Sequence, residues 1–85
     1  ITDSLGWALY KLKRYDRAAE FLKKAVQLMP ADPIVNDHFA DSLWMNGEKL
    51  QARYYWKYVL NLENVEDDHK NKIMKKILNG PVSLN

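Results

Sequence analysis

A thirty-four-residue echo constrains this chain more than any other feature of its 85 residues. Leu5 is answered by Phe39, Gly6 by Ala40, Leu9 by Leu43 and Ala18 by Ala52. Leu22 then returns as Trp56, Ala25 as Val59 and Leu28 as Leu62. Small and large apolar residues recur in the same order, which marks a stacked array of helix-turn-helix units. Gly6, Ala18, Ala40 and Ala52 are small where two antiparallel helices must approach closely. Leu9, Leu22 and Val26, with Leu43, Trp56 and Leu60, fill the space around those contacts. A single hairpin of this kind leaves one apolar side uncovered, so it needs a neighbour.

The run Leu5-Gly6, Leu9, Ala18, Leu22, Ala25 and Pro30 resembles the tetratricopeptide repeat. Two repeats cover most of the chain, and the second departs from the family pattern at Lys49, Val59 and Asn64. The resemblance implies an all-α solenoid of antiparallel helix-turn-helix repeats with a C-terminal capping helix. Repeat one is expected over 1–32, N-terminally truncated, repeat two over 33–66, and the cap over 67–80. The tail 81–85 has no periodicity and is expected to be mobile. The wording of the repeats is similar to that of bacterial proteins. The start at Ile1, two residues short of a complete repeat, suggests a fragment of a longer array.

Local signals place five helices. The first pair is expected over Asp3–Leu12 and Asp16–Met29, joined by Lys13-Arg14-Tyr15, with the Tyr15 ring laid across the turn. Asp32-Pro33 opens the third helix, the aspartate capping free amides and the proline sitting where no hydrogen bond is lost. That helix runs to about Met45, and a fourth runs from Lys49 to Leu62. Gly47 suits the left-handed residue that ends a helix, and Lys13 occupies the equivalent slot without glycine's freedom. The fourth helix turns Ala52, Trp56, Val59 and Leu60 inward and leaves Tyr54 and Tyr58 nearer the surface. A last helix starts near Asn64 or Val65, with acids first and lysines last as its dipole favours. Asn79-Gly80-Pro81 stops it.

Composition narrows the function classes. Thirteen Lys and Arg against eleven Asp and Glu give a net charge of +2, too mild to suggest nucleic acid or an anionic membrane. There is no cysteine, hence no disulfide. No apolar run approaches the roughly 20 residues that cross a bilayer, so membrane insertion is not expected. Neither a glycine-rich phosphate loop nor a Ser-His-Asp set is legible, so the reading is no enzyme, no catalytic residue and no cofactor. Asp37-His38 with Asp41 has carboxylates and an imidazole on one helix, but lacks a second histidine in register, so no metal is expected.

The resemblance implies protein–protein recognition on a concave surface made by the first helix of each repeat. In repeat one the groove positions are Asp3, Ser4, Trp7, Tyr10 and Lys11. In repeat two they are Ile34, Asp37, His38, Asp41, Trp44 and Met45, and Asn71, Lys72 and Lys75 continue the surface. Register stacking would set Asp3 beside Asp37, Trp7 beside Asp41 and Tyr10 beside Trp44. Asp37 and Asp41 are like charges four residues apart, which gives the helix nothing. Acids among rings suit an extended basic and aromatic protein or peptide partner. The Lys/Asn/Arg carboxylate clamp that some members use is absent, because its positions carry Asp3, Trp7, Asp37 and Asp41. The alternative is homo-oligomerisation through exposed helix faces, including self-association through Ile1, Leu5, Ala8, Leu9 and Leu12 of the first helix.

Overall fold

The computed structural model describes residues 2–81. Five helices and, among the described residues, no strand follow in order: α1 (Thr2–Lys11), α2 (Tyr15–Leu28), α3 (Pro33–Met45), α4 (Lys49–Leu60) and α5 (Asp67–Asn79). α1 packs on α2, α3 on α4, α2 on α3, and α5 closes against α4. This is the expected all-α stack of two hairpins and a closing helix. The tail expectation for 82–85, and the Ile1 side chain, lie outside the described residues.

The helices begin and end where local chemistry dictates. Asp32 Oδ1 accepts hydrogen bonds from the Ile34 and Val35 amides at 2.9 and 3.0 Å, with Pro33 in the first turn. The two intra-hairpin turns share one backbone solution. Lys13 has φ 62° and Gly47 has φ 89°, both left-handed, and each turn closes with an amide bonding back across the helix end. α4 stops at Leu60, two residues earlier than the apolar pattern suggests, and α5 starts only at Asp67. The intervening stretch is a turn that tucks Val65 into the core, and Glu66 stays extended as the residue before α5.

The core is a ladder of the echoed residues. Ala18, Leu22, Ala25, Phe39, Ala40, Leu43, Ala52, Trp56 and Val59 are buried, with Ile73 of α5 below them. At Gly6 an added Cβ would sit 2.6 Å from Leu22 Cγ, so the glycine lets α2 press against α1. Gly80 ends α5 with φ 80°, and a Cβ there would meet the Trp44 ring at 2.5 Å. Tyr15 sets its ring edge against Tyr10 at 5.3 Å, across the first turn as expected.

Leu5 departs from its echo. It remains 46% exposed, whereas its counterpart Phe39 is buried, because α3 is packed between α2 and α4, while α1 rests on α2 and only lightly on α3.

Candidate functional site

Helix geometry decides what each groove residue faces. Neighbouring residues on an α-helix point about 100° apart, so Asp37 and His38 cannot serve the same partner. His38 turns towards α1. Its Nδ1 lies 2.9 Å from Asp3 Oδ1, and its ring stacks on Trp7 with centroids 3.9 Å apart and planes 11° from parallel. Trp7 stacks in turn on Tyr10 at 4.6 Å and 6°. A continuous pile of Tyr10, Trp7 and His38 therefore bridges α1 and α3. Tyr10 is buried at its inner end, while Trp7 and His38 are half-buried. Asp3 meets His38 rather than the expected Asp37, and Trp7 meets His38 rather than Asp41.

Asp37 and Asp41 turn the other way, and here the structure corrects the sequence expectation of two solvent-facing acids. They are only 8% and 2% exposed. Asp37 Oδ1 accepts from Trp56 Nε1 at 3.0 Å and from Lys76 Nζ at 2.9 Å, and its Oδ2 lies 2.9 Å from His69 Nε2. Lys76 Nζ also donates to Asp41 Oδ2 at 3.1 Å and stands 3.0 Å from its Oδ1. The like-charge pair that does nothing for α3 alone is thus the anchor for α5. Spacing within α3 could not reveal this, because the neutralising groups lie more than thirty residues away.

The electrostatics follow from that burial. Loss of water, then the charge of Asp37, push the Asp41 carboxyl up to about 7, against the opposing pull of Lys76. Burial alone would lower Lys76, but the charges of Asp41 and Asp37 outweigh it and leave its ammonium raised. Burial, then Asp41, also raises the Tyr10 phenol well above its ordinary range. A cluster of this kind holds its charges inward. It offers little to a partner.

The remaining expected groove residues divide. Trp44 is half-buried on the α4 side, tilted against Trp56 at 5.6 Å, with Lys49 Nζ and the Arg53 guanidinium 5.0 and 4.9 Å from its centroid. Arg53 Nε also donates to the Ile77 carbonyl at 3.0 Å, which fixes that platform. Met45 is exposed, and so is Ile34. Ile34 lies one turn before His38, on the same stripe of α3. It opens into a depression of about 540 Å3 at the starts of α3 and α5, lined also by Asn64, Glu66, Asp68, His69 and Lys72. Among the described residues no group of three or more acids and histidines is placed to hold a metal. Among them, too, no helix is long and apolar enough to cross a membrane.

Comparison with known proteins agrees with this architecture. The family model for the tetratricopeptide repeat matches residues 3–32, which holds α1, the Lys13 turn and α2. No curated protein and no solved structure matches the chain. Repeats of this family mediate protein–protein interactions and are typically non-catalytic. The matched residues thus form a tetratricopeptide repeat, and the second hairpin repeats its packing within the all-helical stack.

Proposed function

We propose that this chain is a protein-recognition scaffold that takes a peptide segment along the concave side formed by α1, α3 and α5. In this reading residues 33–66 are a second repeat and α5 closes the array. One observation carries it: the Tyr10–Trp7–His38 pile, held by Asp3 and reaching the surface at Trp7 and His38. Large rings locked by stacking present area at low entropic cost, which suits recognition of apolar or aromatic side chains. Ile34, Met45 and Lys72 continue the surface beside the pile. Asp37 and Asp41 support it from beneath, since both are engaged by Lys76. A peptide-library selection followed by amide-shift mapping tests the proposal. Selected peptides should move Trp7, His38, Ile34 and Met45 together, and Trp7→Ala should abolish binding while the chain stays folded. Binders whose shifts avoid α1 and α3 would refute it.

A second reading is self-association through α1. Leu5 of α1 is 46% exposed, Leu12 just past its end is 68% exposed, and Ala8 is also exposed. An apolar strip of this kind favours a two-fold contact between copies. Sedimentation across a wide concentration range checks it: a dimer that Leu5→Gln with Leu12→Gln dissolves supports the reading, and a strict monomer removes it.

A further inference from the structure

Asp3, Asp37 and Asp41 of the concave side have ion-pair partners within the chain. Another set of acids has none among the described residues, although Asp16 Oδ1 accepts from the Arg17 amide at 2.8 Å. On the opposite side α2 and α4 stand apart over α3, and the cleft between them holds about 450 Å3. Its floor is apolar: Phe39 and Leu43 of α3, Ala19 of α2 and the Tyr55 ring, which meets Phe39 edge-on at 4.8 Å. Its rim carries Asp16 and Glu20, one turn apart on α2, and Glu48 at the start of α4. Lys23 is the one cation of the lining, and Asn46 and Gln51 add amides. None of the three carboxylates has an ion-pair partner among the described residues, in contrast to Asp3, Asp37 and Asp41.

We propose that this cleft is a second docking surface, and that it takes a basic segment of a partner protein by admitting an arginine or lysine side chain. The aliphatic stem of such a residue would lie on Phe39, Leu43 and Ala19, as long cationic side chains commonly cover apolar surface. Its head would reach the carboxylates on both walls, and a guanidinium could bridge α2 to α4 through paired hydrogen bonds. Charge complementarity selects this occupant. The chain as a whole is positive at +2, yet this lining has three carboxylates to one ammonium. An acidic segment would meet like charge here, and a purely apolar one would leave the rim unpaired. The preference for a basic partner, which the sequence suggests for the concave acids, therefore belongs to the convex side.

The test uses the full chain and a capped ten-residue peptide alternating arginine and leucine, with a glutamine–leucine peptide as control. Amide shifts are expected at Ala19, Glu20, Glu48, Gln51 and Tyr55, weakening as salt is raised. The exposed changes Glu20→Gln and Glu48→Gln, made together, should leave the thermal midpoint in place and weaken the arginine peptide about tenfold. Trp7→Ala should not affect it, which separates this cleft from the concave surface. Three outcomes would overturn the proposal: equal binding of the glutamine peptide, unchanged affinity in the double variant, or shifts that map to Trp7 and His38. Shifts at the same amides that appear on concentrating the chain alone would assign the cleft to a second copy and overturn it too.

Discussion

α1 and α3 occupy equivalent places in their hairpins, yet they are built to different standards. α3 buries Val35, Asn36, Asp37, Phe39, Ala40, Asp41, Ser42 and Leu43, while among the described residues of α1 only Gly6 and Tyr10 are buried. The difference comes from neighbours: α3 lies between α2 and α4 with α5 reaching its acids, whereas α1 rests on α2 and only lightly on α3. Position in the stack, more than the repeat motif itself, decides which groove residues are structure and which are surface. Equivalent residues thereby take different roles. Trp7, the counterpart of Asp41, stays half-buried and available, and Asp41 becomes a buried anchor.

Removing the anchor should produce the largest effect. Lys76→Met leaves Asp37 and Asp41 buried without their shared cation, and a broken buried pair of this kind costs about 3 kcal/mol or more. Amide exchange should then rise first in α5, with α1 and α2 following only on global unfolding. Equal acceleration in both hairpins would show that the stack has no such division.

The pH dependence sharpens the same contrast. Asp41 binds its proton more tightly in the folded chain, about 7 against an ordinary 3.8. The folded state therefore holds the extra proton between these values, and stability falls as pH rises through that window, by at most about 1.4 kcal/mol per pH unit. Asp41→Asn lacks this titration. The stability of the native sequence relative to Asp41→Asn should fall from about pH 4 to about pH 7 and then level off. A relative rise over that range would place Asp41 among ordinary salt-bridged carboxylates. Lys76 adds a separate loss in strong base, since its raised ammonium contributes until pH passes its folded pKa.

Gly6 probes the first hairpin. Ala40, buried in the core, occupies the same repeat position, and Trp56 stands there where Leu22 stands in the first hairpin. Gly6→Ala would drive its Cβ to 2.6 Å from the buried Leu22 Cγ. Overpacking should outweigh the gain in helix propensity and destabilise by about 1 kcal/mol. Thermal melts check it, and a raised midpoint would mean that α1 can shift away from α2. The smallest effect is expected at the turn. Lys13 holds φ 62° where Gly47 holds φ 89°, so Lys13→Gly should stabilise by up to about 1 kcal/mol. An unchanged or lower midpoint would contradict that.

Much of this fold is legible in the residues. The echo from Leu5-Gly6 to Phe39-Ala40 gives the hairpins, Asp32-Pro33 gives the start of α3, and Lys13 against Gly47 gives the left-handed turns. Helix periodicity cannot give the angular offset between stacked helices, so repeat register pairs Asp3 with Asp37, whereas its partner in the structure is His38. Nor can it show that Lys76 and His69 fold back on Asp37 and Asp41, because charge pairing across thirty residues leaves no periodic trace. The late start of α5 has a similar origin, since Val65 is drawn into the core and Glu66 is extended before the helix begins.

The most direct test of the anchor is a double-mutant cycle on Asp41→Asn and Lys76→Met, read by urea unfolding at pH 8. Lys76 Nζ stands 3.0 Å from Asp41 Oδ1 and 2.9 Å from Asp37 Oδ1, so the two changes should be strongly non-additive. The double variant should recover about 1–2 kcal/mol relative to the sum of the single losses. Additivity within about 0.5 kcal/mol would contradict the account, returning Asp41 to the solvent-facing groove that its sequence position first suggests.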